Sequence, residues 1–80
     1  MRVPITMANL GYGMETGNIV SWSTQVGDRV ERGEVIVEVE TDKTNVEMEA
    51  LASGTLVEVT QAAGADVPVG EVIAFLETDD

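Results

Sequence analysis

Displaced by 37 residues, the chain matches itself without a gap. Residues 17 to 43 laid on 54 to 80 give eleven identities in 27 positions, among them Gly17 on Gly54, Gly27 on Gly64, Gly33-Glu34-Val35-Ile36 on Gly70-Glu71-Val72-Ile73, and Glu40-Thr41-Asp42 on Glu77-Thr78-Asp79. Six of the eight glycines fall at matched positions, so each half is expected to bend at the same places, glycine being the residue that takes positive φ without penalty. Each half is only about forty residues, too short to bury a core by itself. The two must therefore share one, as two β-units packed face to face about a pseudo-two-fold axis. Thirteen valines, four isoleucines and eight threonines, with period-two alternation where the apolar residues cluster, make the chain all-β. Apart from a turn expected around Gln61 to Ala65, no segment has helical spacing and caps. A flattened sandwich or barrel, one domain over residues 1–80, is the architecture predicted.

The repeat breaks at one informative place. Val35, Val37 and Val39 alternate with Ile36, Glu38 and Glu40, and Val46, Met48 and Ala50 alternate with Asn45, Glu47 and Glu49. A two-residue turn at Asp42-Lys43 would set Val39 opposite Val46, Val37 opposite Met48 and Val35 opposite Ala50, so that inward side chains meet inward side chains. Asp-Lys is not the Asn-Gly or Asp-Gly pair that tight primed turns favour, and Glu38 would face Glu47 at a cost of a few tenths of a kcal/mol. Neither feature moves Lys43 off the tip.

Lys43 is the sole lysine of the chain, and its counterpart under the 37-residue shift is Asp80. A solitary surface lysine ordinarily serves solubility; this one stands where the repeat duplicates the approach, Glu-Thr-Asp, and changes only the residue bearing an amine. An exposed amine with a pKa near 10.4 is a poor catalyst but a good acceptor for an enzyme able to deprotonate it. The chemistry suggested is attachment. With no cysteine and no histidine, the chain also lacks the commonest nucleophile, base and transition-metal ligand. Its formal net charge of −11 disfavours nucleic acid and anionic membrane surfaces as partners. The longest apolar run, Val72 to Leu76, is five residues, far below the roughly 18 of a membrane span. Val3-Pro4-Ile5-Thr6 near the start is unlike a signal-peptide core, so a cytoplasmic module is expected.

The run Gly33-Glu34-Val35-Ile36-Val37-Glu38-Val39-Glu40-Thr41-Asp42-Lys43, with Gly54 eleven residues past the lysine, resembles the lipoyl-attachment motif of the lipoyl domains of 2-oxo acid dehydrogenase complexes. Leu10-Gly11-Tyr12-Gly13-Met14, Gly17 to Trp22, and Val26-Gly27-Asp28 are also similar to that family. The resemblance implies a flattened β-barrel of two four-stranded antiparallel sheets with quasi-two-fold symmetry, a barrel-sandwich hybrid. It implies that Lys43 is amidated by lipoic acid, that Asp42 and Thr44 flank it as recognition positions for a lipoate ligase or lipoyl transferase, and that the loop Asn9 to Thr16 lies beside the lipoyl turn. The domain would be a non-catalytic, monomeric swinging arm. It would visit a thiamine-dependent 2-oxo acid decarboxylase, an acyltransferase core and a dihydrolipoyl dehydrogenase, carrying acyl groups and reducing equivalents. The chain departs from many relatives in carrying Ala8-Asn9 ahead of Leu10-Gly11, Tyr12 after that glycine, and Ala50-Leu51-Ala52-Ser53 where a Pro-containing segment is common.

Two alternatives stand beside this one. A biotinyl carrier domain shares the fold and the turn lysine, but its lysine is flanked by methionines, whereas Lys43 sits between Asp42 and Thr44 and the nearest methionine, Met48, is five residues on. An unmodified β-module for protein docking would leave Lys43 an incidental charge. Trp22 and Phe75 are expected in core packing, the indole N–H finding a partner. Asp79-Asp80 is a solvated acidic end, since calcium needs six or more oxygen ligands and no metal site is expected.

Overall fold

The computed structural model describes residues 1–9, 15–41 and 44–78. Eight strands, β1 (Arg2–Thr6), β2 (Thr16–Trp22), β3 (Arg29–Val30), β4 (Val35–Glu40), β5 (Asn45–Glu49), β6 (Gly54–Val59), β7 (Asp66–Pro68) and β8 (Val72–Thr78), form two four-stranded antiparallel sheets in the orders β1-β8-β6-β3 and β5-β4-β2-β7. No helix occurs among the described residues. The expected turn near residues 61–65 is present, closed by the Ala65 amide on the Ala62 carbonyl at 3.1 Å.

The 37-residue repeat is written into the hydrogen bonds. Gly64 and Ile19 bond N–H to O at 2.6 Å, and so do their counterparts, Gly27 and Leu56, at 2.7 Å. Ser23 N–H reaches the Ile36 carbonyl and Thr60 N–H that of Ile73, at 2.8 and 2.9 Å. Gly27, Gly33, Gly64 and Gly70 form two repeat-related pairs, with φ between 90° and 99°, so the bends expected of the glycines are built at positive φ. The halves interlock more closely than two units laid face to face. β3 of the first half pairs with β6 of the second, and β7 of the second pairs with β2 of the first. Each sheet therefore takes an edge strand from the other half, which leaves neither half a separate layer.

β1 completes the symmetry. It pairs with β8 as β5 pairs with β4: Val3 lies opposite Leu76 where Val46 lies opposite Val39, and Pro4 opposite Phe75 where Glu47 lies opposite Glu38. Beyond the strands, Met7 exchanges backbone bonds with Glu71 and Gly70 as Ala50 does with Glu34 and Gly33, all within 2.8–2.9 Å.

The register of the β4–β5 hairpin holds at Val39 opposite Val46 and Val37 opposite Met48, but Val35 lies opposite Glu49 rather than Ala50. The cause is a bulge at Ile36, repeated at Ile73. An extra residue in one strand turns two consecutive side chains the same way. Ile36 and Val37, and likewise Ile73 and Ala74, are both buried, while Val35 is only half-buried. The strict alternation expected for β4 is corrected accordingly. The opposite bulges fall at Val20 and Val57, whose extra residue points outward, 40% and 37% exposed.

Ile19, Ile36, Val39, Leu56, Ile73 and Leu76 lead the shared core, each such side chain contributing about 1.5–3 kcal/mol by leaving water. Trp22 packs against it and donates its indole N–H to the Gln61 carbonyl at 3.0 Å, as expected. Phe75 differs from expectation. It occupies the place of Glu38 in the repeat, on the outer face, where the Arg2 guanidinium covers its ring at 4.5 Å from the centroid and also pairs with Glu58. A cation over the ring shields it from water in place of the core.

Candidate functional site: the β4–β5 hairpin end

Strands β4 and β5 run out to Thr41 and Thr44, and only Asp42 and Lys43 connect them. Those two residues lie outside the described residues, as do Leu10 to Met14, within the loop expected beside the turn, and Asp79-Asp80. What the structure describes is the clasp on which the connection is mounted. The Thr41 N–H donates to the Thr44 carbonyl at 2.8 Å, and the Thr41 hydroxyl donates to the same carbonyl at 2.9 Å. The Thr44 N–H returns to Thr41 Oγ1 at 3.3 Å. The strand ends are thus locked at the separation a two-residue connection requires.

The clasp is stiffened one step back. The cross-strand carboxylates of Glu38 and Glu47 are the like-charge pair expected, and Asn45 Nδ2 donates to Glu38 Oε2 at 2.9 Å, giving one of them a neutral partner. Thr44 and Asn45 are exposed, and the Thr44 hydroxyl donates to the Asn45 carbonyl at 3.4 Å. Of the residues expected at the site, Thr44 is placed at the base of the connection. The role of the Thr41 hydroxyl was not foreseen, although its identity with Thr78 in the repeat was the available signal.

The related corner of the other sheet shows the same clasp without the connection. The Thr78 N–H and hydroxyl both donate to the Met1 carbonyl, at 2.8 and 3.0 Å. Thr78 matches Thr41, and Met1 takes the place of Thr44. Here the N-terminal ammonium meets the Glu77 carboxylate at 3.2 Å.

Comparison with known proteins places the chain as a whole. The family model described as biotin-requiring enzyme, covering biotin and lipoyl attachment, matches residues 3–76. The chain belongs to the biotin/lipoyl family. Within that family it is a lipoyl domain, a carrier whose class holds lipoic acid covalently on a lysine. It is 46% identical over 77 residues to a dihydrolipoyllysine-residue acetyltransferase component of the pyruvate dehydrogenase complex of Arabidopsis thaliana, covering 95% of this chain and 14% of that protein. To the corresponding component from Rhizobium meliloti it is 41% identical over 80 residues, covering 99% of this chain and 18% of the relative. The chain thus spans under a fifth of these relatives. The solution structure of the lipoyl domain of the 2-oxoglutarate dehydrogenase complex from Azotobacter vinelandii superposes with a TM-score of 0.79 at 29% identity, over 98% of this chain and 99% of that one. A multi-domain long-chain acyl-CoA carboxylase superposes with a TM-score of 0.83 at 18% identity, over 99% of this chain and 7% of that one, a likeness of fold alone. The all-β, two-sheet architecture is that of the lipoyl domain.

Proposed function

We propose that this lipoyl domain carries its lipoyl group as an amide on Lys43, with Asp42 and Thr44 as the positions that a lipoate ligase or lipoyl transferase reads on either side. Residues 1–80 act as a carrier domain of a longer cytoplasmic acyltransferase component, without catalytic groups of their own. The observation that carries the reading is the paired clasp: the same threonine lock occurs twice, and the chain's one lysine lies in the two-residue link of the corner that is joined.

The residues fit the group. An amide needs a primary amine, and Lys43 is the one lysine in these 80 residues. When attached, lipoic acid supplies a dithiolane that accepts an acyl group with two electrons and later releases both. The chain contributes position and selectivity. The clasp of Thr41 on Thr44 holds the hairpin end in one shape for the modifying enzyme, and the absence of any thiol in the sequence leaves no protein sulfur to exchange with the dithiol. A high negative charge limits contact between neighbouring carriers and favours basic entrances on partner enzymes. The partners supported are a thiamine-dependent 2-oxo acid decarboxylase, the acyltransferase core and a dihydrolipoyl dehydrogenase, the relatives being components of such complexes. Tethering turns encounters among their active sites into intramolecular ones.

The test is intact mass after co-expression with a lipoate ligase. The wild type is expected to gain one lipoyl group and Lys43→Ala none. A wild-type chain left unmodified under conditions that load a control lipoyl domain sinks the proposal, and a gain of biotin with a biotin ligase would assign the hairpin to the biotinyl branch.

A further inference from the structure

β1 and β5, each paired on one side only among the described strands, face one another across the side of the sandwich. Between them runs a cleft of about 320 Å³, walled by Val3 and Ile5 from β1 and by Met48 and Leu51 from β5 and the segment that follows it. Leu51 is 89% exposed at its rim, an unusual place for a large aliphatic side chain with nothing among the described residues to cover it.

The two walls are symmetry mates with different chemistry. At positions the repeat makes equivalent, β5 presents Glu47 and Glu49 where β1 presents Pro4 and Thr6. Both glutamates line the cleft. Neither carboxylate takes part in any ion pair found among the described residues, and the cation nearest in sequence on β1, Arg2, is committed to Glu58 and the Phe75 ring. The cleft is therefore apolar at its floor and acidic along one wall only.

From this pairing we infer that the β1–β5 cleft is a docking groove for a peptide segment of a partner protein in which one or two aliphatic side chains are flanked by lysine or arginine. The aliphatic groups enter between Ile5 and Leu51, and the cations lie along Glu47 and Glu49. The volume accommodates about two aliphatic side chains, enough for a weak, transient contact. A second copy of this chain is a poor occupant, because a net charge of −11 would set acidic wall against acidic surface. The inference does not rest on lipoylation and is tested on the unmodified domain.

The probe is a fluorescein-labelled hexapeptide with two central leucines and two arginines on each side, titrated by anisotropy and by mapping of backbone amide shifts. Saturable binding is expected, with shifts concentrated at Val3 to Thr6 and Glu47 to Ala52. Leu51→Asp, at a site too exposed to unfold the core, should weaken it about tenfold. Glu47→Gln combined with Glu49→Gln should weaken it about three- to tenfold, a difference that vanishes in high salt. A peptide with serines for leucines that binds equally well, or shifts spread over the whole acidic surface, overturns the proposal in favour of unspecific charge. Cleft shifts that grow with protein concentration alone assign the groove to a second copy. Cleft shifts that appear on lipoylation, with loss of peptide binding, assign it to the arm.

Discussion

The joined corner at Thr41 and Thr44 and the open corner at Thr78 and Met1 are the same piece of architecture used for different ends. In each, a threonine at the close of a long strand gives its amide and its hydroxyl to a single carbonyl on the neighbouring strand. In one the strands continue into each other through two residues, and one of those is the lysine; in the other the partner carbonyl belongs to Met1. Symmetry supplies the clasp to both corners, and only one of them also has a two-residue link and an amine. On the proposed function, the attachment point needs all three.

The sharpest way to break the comparison is to move the amine. Lys43→Arg is expected to abolish lipoylation completely while leaving the melting temperature unchanged. Asp80→Lys, which places a lysine at the repeat-equivalent position without the two-residue link, is expected to stay unmodified when Lys43 in the same chain is fully loaded, as read by intact mass and peptide mapping. Modification at position 80 would show that flanking sequence suffices without the hairpin.

Next in size is a test of the shared backbone path. A Cβ built on Gly54 would stand 2.2 Å from the Glu77 carbonyl oxygen and 2.9 Å from its carbon, a backbone that cannot step aside. Gly54→Ala is expected to cost about 1–3 kcal/mol by urea unfolding. Gly17, its counterpart opposite Val67 as Gly54 is opposite Val30, should lose a similar amount on the same substitution. A large difference between the two would mean that the halves bend alike but pack unlike.

The clasp itself can be sharpened at lower amplitude. Thr41→Val and Thr78→Val each remove one side-chain hydrogen bond at an accessible site and are expected to cost about 0.5–1.5 kcal/mol apiece. On the proposed function, only Thr41→Val should also slow lipoylation, because only that clasp lies at the base of the lysine's link. The smallest effect has the opposite sign. Thr24, in a position the repeat gives to Gln61, is buried, and its hydroxyl has no hydrogen-bond partner among the described residues. Thr24→Val is expected to stabilise the domain by about 1 kcal/mol, a rise of several degrees in melting temperature for a chain of this size.

Much of this was legible in the residues before any coordinates. Valine alternation on either side of Asp42-Lys43 set the hairpin register at Val39 with Val46 and Val37 with Met48, because a slip of one would have turned every inward side chain to water. The same logic failed at Val35, where the bulge at Ile36 reverses the facing within one residue, and a buried isoleucine reads in sequence no differently from an exposed one. Phe75 misled for a related reason. Its aromatic ring promised the core, yet its place in the repeat is that of Glu38, and an arginine from the distant first strand provides the cover.

The amino-acid order by itself determined the duplication, the all-β character, the glycine bends and the place of the single amine, since each of these is a local property of residue type and spacing. Which strand joins which sheet was settled only by the tertiary structure. The exchange of β3 and β7 between halves, β1 standing in for the partner that β8 would otherwise lack, and the cleft left between β1 and β5 all come from edges that must be paired or buried across long stretches of chain. Pairings of that range depend on how the whole core closes, and no short window of sequence contains them.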